Sequence, residues 1–196
     1  MNFLEFLYYL PAILIGITFH EYAHALAADK LGDITPRLEG RLTLNPLKHI
    51  DIIGFIMLLI FHFGWAKPVP INIYNLKNFR RDVVIIAFAG PLSNLIIAFI
   101  CFLLMKLTSN NEILNFLFSS TLVINIFLFA FNLIPLPPLD GWRIISSAFP
   151  SLTFNRTAET YGFIILLVVI FFFKNLISSY LGFVSNLLLS IFSLIV

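Results

Sequence analysis

Apolar stretches about as long as a bilayer is thick constrain the fold of this chain more than any other feature. A helix needs about 20 residues to cross roughly 30 Å of hydrocarbon. Four stretches reach about that length: Phe3–Ala28, Val83–Leu107, Ile113–Leu136 and Ile177–Val196. Because 60% of the 196 residues are hydrophobic and only 11% are charged, the composition is too apolar for a soluble domain of this size. We expect an all-α polytopic membrane protein.

Two shorter apolar stretches complete this expectation. The first, Tyr161–Phe173, can be lengthened by the small and polar residues before it and predicts a fifth span. The second, Ile52–Phe63, has twelve residues, which suits a re-entrant or interfacial segment better than a full crossing. We expect a single integral-membrane domain over residues 1–196, with a core at 3–145 and accessory transmembrane helices at 157–196.

A small β-hairpin is predicted near the cytoplasmic face, between the first span and the short apolar segment. In the stretch Pro36–Asn45, Leu42 and Leu44 alternate with polar neighbours, and Gly40 offers a turn. The alternative interpretation of this stretch is a plain basic loop. An edge strand here would be able to pair with an extended peptide.

Lysine and arginine predict the orientation of the chain, because cytoplasmic loops are enriched in these residues. With the N-terminus outside and alternating spans, the C-terminus is cytoplasmic. Ten of the 12 cations then fall on the cytoplasmic side: Lys30, Arg37, Arg41, Lys48, Lys67, Lys77, Arg80, Arg81, Arg143 and Arg156. The formal net charge of +2 is too small to indicate a nucleic-acid partner. Cys101, the single cysteine, is interpreted as a packing residue.

A His-Glu-Tyr-Ala-His run at residues 20–24 lies at the end of the first apolar stretch. On a helix, His20 and His24 project from one face about 6 Å apart, close enough to bind one zinc ion. Glu21 is able to reach a metal-bound water, which is the arrangement used in zinc-dependent peptide hydrolysis. The alternative is a pair of structural histidines, although ionisable groups within a membrane are costly unless they are paired or functional.

A third ligand must come from elsewhere, because a catalytic zinc site uses three protein ligands and keeps one position for water. Asp140 is the strongest candidate. It follows a proline-rich break, Pro135-Leu-Pro-Pro-Leu-Asp-Gly141, where the Ile113–Leu136 span should reach the cytoplasmic side at the depth of His20 and His24. The alternative role of Asp140 is to cap the short helix that follows.

Together these motifs resemble the site-2 protease family, peptidase family M50, of intramembrane zinc metalloproteases. The similarity is to its compact bacterial members, which lack PDZ and CBS domains, and it extends over about residues 15–145. Four further segments contribute to it: Gly40–Asp51, Gly64–Pro70, Ala89–Asn94 and Phe131–Gly141. Ile52 departs from the pattern, because proline is expected after the His-Ile-Asp sequence in this family.

The resemblance implies roles for individual residues. The expected ligands of one Zn²⁺ ion are His20, His24 and Asp140. Glu21 would be the catalytic base. Asn132, eight residues before the expected carboxylate ligand, looks like the family's active-site asparagine. Asn132 and Asn94 are therefore candidates for contacting the oxyanion or the substrate, and hydrogen bonding between neighbouring helices is the alternative for both.

The expected function is hydrolysis of peptide bonds in or near the transmembrane helices of membrane-protein substrates, by a zinc-bound water that Glu21 assists. A helical substrate must unwind first, because its carbonyl groups are hydrogen-bonded within the helix. The site would lie near the cytoplasmic face of a bacterial cell membrane. A zinc-binding scaffold without protease activity and a transporter are the alternatives, and the sequence does not indicate the oligomeric state.

Overall fold

The computed structural model describes residues 3–149 and 156–195, and this part of the chain is helical. Its α-helices are α1 (Phe3–Lys30), α2 (Thr35–Leu38), α3 (Ile52–Phe61), α4 (Phe79–Leu107), α5 (Glu112–Asn132), α6 (Asp140–Ala148), α7 (Arg156–Phe172) and α8 (Lys174–Ile195). Two 3₁₀ turns, Pro46–Lys48 and Ile73–Asn75, lie in the connections. The prediction of an all-α protein is confirmed.

Three of the described helices, α4, α5 and α8, are long and apolar enough to cross a membrane. Each of them begins and ends within four residues of a predicted span. Helix α3 and the apolar part of α7, Thr160–Phe172, are shorter. Helix α1 has 28 residues and continues without a break from the first apolar stretch through the His-Glu-Tyr-Ala-His motif. The long apolar helices indicate an integral membrane protein.

Side-chain caps fix where several of these helices begin. Asp51 accepts the N–H of Gly54 at 2.8 Å at the start of α3, and Asn111 accepts that of Leu114 at 3.0 Å at the start of α5. Such bonds satisfy amide groups that have no partner inside the helix. Only a short turn separates the end of α4 from Asn111, so α5 runs back along α4 and packs against it.

Helix α4 lies at the centre of the fold and packs against α1, α5 and α6. One half of it contributes Ala98 and Phe102 to an apolar core that α5 and α8 complete. The opposite side of this half is apolar and exposed, as shown by Ile96 and Ile100. This arrangement suits a helix that faces lipid on one side. The other half of α4 supports the polar site described below.

The predicted β-hairpin over Pro36–Asn45 is wrong. Pro36 lies in the first turn of α2, where a backbone N–H would have no hydrogen-bond acceptor within the helix, so proline is well tolerated. Gly40, with a φ of +64°, then ends a helical turn instead of joining two strands. The part of the chain that the structure describes contains no β-strand, and its sheet-like pairing is limited to an isolated antiparallel bridge between Ile50 and Ala66.

Candidate metal centre

The two histidines of α1 meet as the motif predicts. Their Nε2 atoms lie 3.0 Å apart, and both imidazole rings are buried. Since His20 and His24 are separated by one helical turn, they leave α1 on the same face. Their spacing therefore brings two nitrogen atoms that are able to bind a metal to one point.

Asp140 reaches the same point from a distant part of the sequence. Helix α5 ends at Asn132, and a turn that contains three prolines leads to Asp140, the first residue of α6. Its Oδ2 atom lies 3.1 Å from His20 Nε2 and 3.3 Å from His24 Nε2. The potential ligand atoms of the three residues all lie within 4.8 Å of one another. The structure thus brings together the three residues that were expected to bind zinc.

Hydrogen bonds at the far side of each ring orient the imidazoles. His20 Nδ1 is 2.7 Å from Asn94 Oδ1, and His24 Nδ1 is 2.7 Å from the carbonyl oxygen of Ile86. Both oxygen atoms accept hydrogen bonds, so each Nδ1 carries the hydrogen and donates it. This tautomer leaves both Nε2 lone pairs directed at Asp140, which is how a histidine that binds metal is held.

The chemistry of this cluster fits a metal cation. Asp140 Oδ2 is buried, and none of the described residues donates a hydrogen bond to it. With the hydrogens on Nδ1, neither Nε2 atom carries a hydrogen. Asp140 Oδ2 and the two Nε2 atoms therefore face one another with lone pairs only. Buried acceptors in this arrangement repel one another unless a cation lies between them. Two imidazole nitrogens and one carboxylate oxygen are a ligand set that catalytic zinc uses, and they leave a fourth position open.

Helix α4 approaches both histidines closely at Gly90. A Cβ atom on this residue would lie 2.7 Å from His20 Cε1 and would also collide with the ring of His24. Ordinary contacts of such an atom begin at about 3.4 Å. The absence of a side chain at Gly90 therefore gives the two rings the space in which they meet Asp140.

Glu21 lies beside this cluster with one carboxylate oxygen fixed by the backbone. Its Oε2 atom accepts the N–H of Val69 at 3.1 Å. Among the described residues, Oε1 takes part in no hydrogen bond, although the side chain is largely buried. A carboxylate held by one oxygen, next to three potential metal ligands, is able to take a proton from a water molecule at the metal.

Comparison with known proteins agrees with this geometry. The sequence profile of Peptidase family M50 matches residues 105–176, a range that includes Asp140. "Putative zinc metalloprotease YwhC" of Bacillus subtilis (strain 168) is 44% identical over 173 residues, which cover 83% of this chain and 79% of the relative. The chain belongs to peptidase family M50. "Putative zinc metalloprotease MJ0611" of Methanocaldococcus jannaschii is 33% identical over 144 residues, covering 74% of this chain and 72% of the relative. No solved structure gives a significant match.

Membership of family M50 confirms the resemblance drawn from the sequence motifs. It also confirms the predicted class of enzyme, a zinc metalloprotease, and zinc as the expected cofactor. The profile match begins after the His-Glu-Tyr-Ala-His motif, so the first half of the site rests on the geometry.

In this M50 peptidase, the side chain of Asn94 is hydrogen-bonded to one of the candidate metal ligands. It is fully buried, and its Oδ1 accepts the hydrogen bond from His20. Its Nδ2 donates to the carbonyl oxygen of Gly16 at 3.0 Å and to Asn125 Oδ1 at 2.9 Å. Both amide hydrogens are therefore used, and Asn94 has none left for a substrate oxyanion. It lies where it orients His20.

Asn125 is a part of this network that the sequence interpretation missed. Its own Nδ2 donates to the carbonyl oxygen of Thr121 at 2.8 Å, and the side chain is fully buried. The available signal was an amide side chain in the middle of an apolar span, which must find a partner in the protein interior. Asn125 thereby links α5 to the residue that orients His20.

Asn132 lies at the end of α5 and is half-buried. Its Nδ2 donates one hydrogen to the carbonyl oxygen of Leu128 at 2.9 Å. Within the described part of the chain it forms no hydrogen bond with His20, His24 or Asp140. One amide hydrogen of Asn132 thus has no acceptor among the described residues, in contrast to Asn94.

Proposed function

We propose that this M50 peptidase is an intramembrane zinc metalloprotease that hydrolyses peptide bonds in or near the transmembrane helices of membrane-protein substrates. The observation that carries the proposal is the convergence of ligand atoms from His20, His24 and Asp140 beside the carboxylate of Glu21. A complete ligand set with an adjacent base, on a framework of apolar helices, supplies what peptide hydrolysis in a bilayer requires.

In the proposed mechanism, His20 and His24 would hold one zinc ion through Nε2, and Asp140 would hold it through Oδ2. Zinc, when bound, would act as a Lewis acid that lowers the pKa of a water molecule toward about 7. Glu21 takes a proton from the attacking water and later returns it to the leaving amine. The water oxygen first bonds to the peptide carbon, which places negative charge on the carbonyl oxygen. The C=O bond then re-forms as the carbon–nitrogen bond breaks and the amine takes up the proton. Asn132 donates its free amide hydrogen to the oxyanion or the substrate backbone.

The proposed topology has five spans, α1, α4, α5, α7 and α8, and treats α3 as a re-entrant or interfacial segment. At 1.5 Å per residue, α1 is about 42 Å long, which is enough to cross the hydrocarbon and still place its histidines near one surface. The distribution of lysine and arginine supports a cytoplasmic location for that surface and for the C-terminus, with the N-terminus outside. The chain would form a single domain in a bacterial cell membrane, with a core at 3–145 and accessory helices at 157–196.

The proposed substrates are transmembrane helices that unwind locally near the cytoplasmic face. A carbonyl group inside a helix is already hydrogen-bonded, so helix-breaking residues close to the scissile bond should favour cleavage. The proposal therefore predicts faster cleavage when a reporter helix carries a Gly-Pro pair near its cytoplasmic end than when it carries Ala-Leu at that place.

The proposal can be tested with purified full-length protein in liposomes together with single-span reporter proteins of this kind. Glu21→Gln removes the base, and we expect the rate to fall by about 10²–10⁴ while zinc content stays near one ion per chain. Glu112→Gln, at an exposed position in the first turn of α5, is the matched control and should cleave like the wild type. Equal cleavage by the Glu21 variant and the wild type would contradict the role of Glu21.

Two other outcomes of the same experiment would replace the proposal. Zinc binding without cleavage of any reporter by the wild type would indicate a scaffold. Zinc flux across the liposome membrane that is unaffected by Glu21→Gln would indicate a transporter.

A further inference from the structure

Arg41 is a buried arginine in the loop after α2. Its side chain is only 4% exposed, although burying a guanidinium group is costly unless its hydrogen-bond donors are satisfied. Burial lowers the pKa of Arg41, and the negative charges of Glu21 and Glu39 oppose that effect. Arg41 thus carries a charge in the interior that acts on the carboxylate expected to be the catalytic base.

The guanidinium group of Arg41 donates hydrogen bonds to two successive backbone carbonyl groups. Nη1 donates to the oxygen of Pro68 at 3.0 Å, and Nη2 donates to the oxygen of Lys67. The Pro68 carbonyl belongs to the same peptide group as the Val69 N–H, which donates to Glu21 Oε2 at 3.1 Å. Arg41 therefore binds the oxygen of this peptide group, and Glu21 binds its N–H.

The planarity of that peptide group couples its hydrogen bond with Arg41 to its hydrogen bond with Glu21. In a trans peptide, the C=O and the N–H point in opposite directions, so fixing the oxygen also fixes the direction of the N–H. A charged donor on the oxygen polarises the peptide and strengthens the hydrogen bond that its N–H donates. The orientation of the Glu21 carboxylate is consequently coupled to Arg41.

We infer that Arg41 is a positioning residue for the general base: through the Pro68–Val69 peptide it holds Glu21 Oε2 and leaves Oε1 directed toward the reacting water. The inference rests on the proposed peptidase function. It assigns no contact between Arg41 and the metal ion or the substrate.

The neighbouring segment has supports that do not depend on Arg41. The Lys67 N–H donates to the carbonyl oxygen of His49 at 2.8 Å, and Ala66 forms the bridge with Ile50. His49 is itself fully buried, and its Nε2 lies 2.7 Å from the carbonyl oxygen of Thr43. Removing the guanidinium group should therefore disturb the orientation of one peptide plane more than the path of the chain.

The test compares Arg41→Gln and Arg41→Lys with Arg37→Gln in the full-length protein and the liposome assay described above. Arg37 is an exposed arginine paired with Asp29 at 2.5 Å, and it serves as the matched control. We expect kcat of Arg41→Gln to fall by about tenfold or more, which is less than the loss on removing the base itself. KM and zinc content should stay as in the wild type. Lysine should restore part of kcat, because it donates to carbonyl groups but lacks the planar pair of donors.

Hydrogen exchange supplies a readout that does not depend on activity. In Arg41→Gln, peptides that contain the Val69 amide should exchange faster than in the wild type, and those in Arg37→Gln should not. Unchanged kcat and unchanged exchange in Arg41→Gln would overturn the inference. Loss of zinc from both Arg41 variants would overturn it as well, because Arg41 would then support the metal site or the fold. Failure of the wild type to cleave any reporter would instead contradict the proposed function.

Discussion

Replacing Gly90 by alanine tests how closely α4 fits the metal centre. The new Cβ would lie 2.7 Å from His20 Cε1, whereas ordinary contacts begin at 3.4 Å, so the ring must retreat by about 0.7 Å. Metal–ligand distances tolerate changes of only about 0.2 Å. We therefore expect zinc affinity and peptidase activity to fall by about 10- to 100-fold, as when groups that orient metal ligands are lost.

Gly182→Ala provides the matched control, because a Cβ at that position in α8 would have no atom of the described residues within 4 Å. Each substitution replaces a helical glycine by a better helix former, an effect worth about 1 kcal/mol in favour of the folded state. A loss of function at Gly90 alone would therefore reflect the collision with the histidines and not a change in helix propensity.

The measurement is competition for zinc against a chromophoric chelator, followed by reporter cleavage at saturating zinc. Gly90→Ala should bind zinc more weakly than the wild type, and Gly182→Ala should bind it equally well. Wild-type zinc affinity in Gly90→Ala would refute the reasoning, because it would mean that the two imidazoles do not lie against α4 when the metal is bound.

Other parts of the site and fold yield separate predictions. Asn94→Leu removes the acceptor that orients His20, so zinc affinity should fall by about 10- to 100-fold in the same competition assay, and an unchanged affinity would contradict that role. Asn132→Ala should lower kcat by about 10²–10³ and leave zinc content unchanged if this amide binds the oxyanion; an unaltered kcat would exclude it. Burial raises the pKa of Asp33, but hydrogen bonds from Thr35, Asn75 and Asn72 outweigh it, so the net pKa lies below its usual value. Asp33 should thus stabilise the fold above about pH 4 and lose this effect as the pH falls through its folded pKa, so thermal melts of the wild type and Asp33→Asn should differ most near neutral pH and converge in acid.

The convergence of His20, His24 and Asp140 could be predicted from the sequence because each half of the cluster has a local cause. The i, i+4 spacing of His20 and His24 fixes their common face on any helix. The proline-rich break before Asp140 stops α5 and starts α6 at one end of the bundle. The pairing of these two halves rested on the assumption that both lie at the same membrane depth and on the resemblance to the site-2 protease family.

The residues that support the cluster could not be assigned in the same way. An amide such as Asn94 in an apolar helix signals that a partner exists, but the partner is set by the packing of α4 against α1 and α5. The sequence is equally silent on Arg41, since a basic residue in a loop is usually exposed, and its burial follows from contacts with residues 67 and 68. The alternation of apolar and polar residues around Leu42 favoured a hairpin. This local pattern does not reveal that Pro36 and Gly40 belong to a helical turn.

X-ray absorption at the zinc edge tests the central claim most directly. We predict that the zinc in the purified wild-type protein has two imidazole nitrogens at about 2.0–2.1 Å and oxygen ligands at about 2.0–2.2 Å. Asp140→Ala should lose the protein oxygen ligand and bind zinc more weakly, while the signature of two imidazoles remains. An absorption spectrum and an affinity that Asp140→Ala leaves unchanged would contradict a metal centre built from His20, His24 and Asp140.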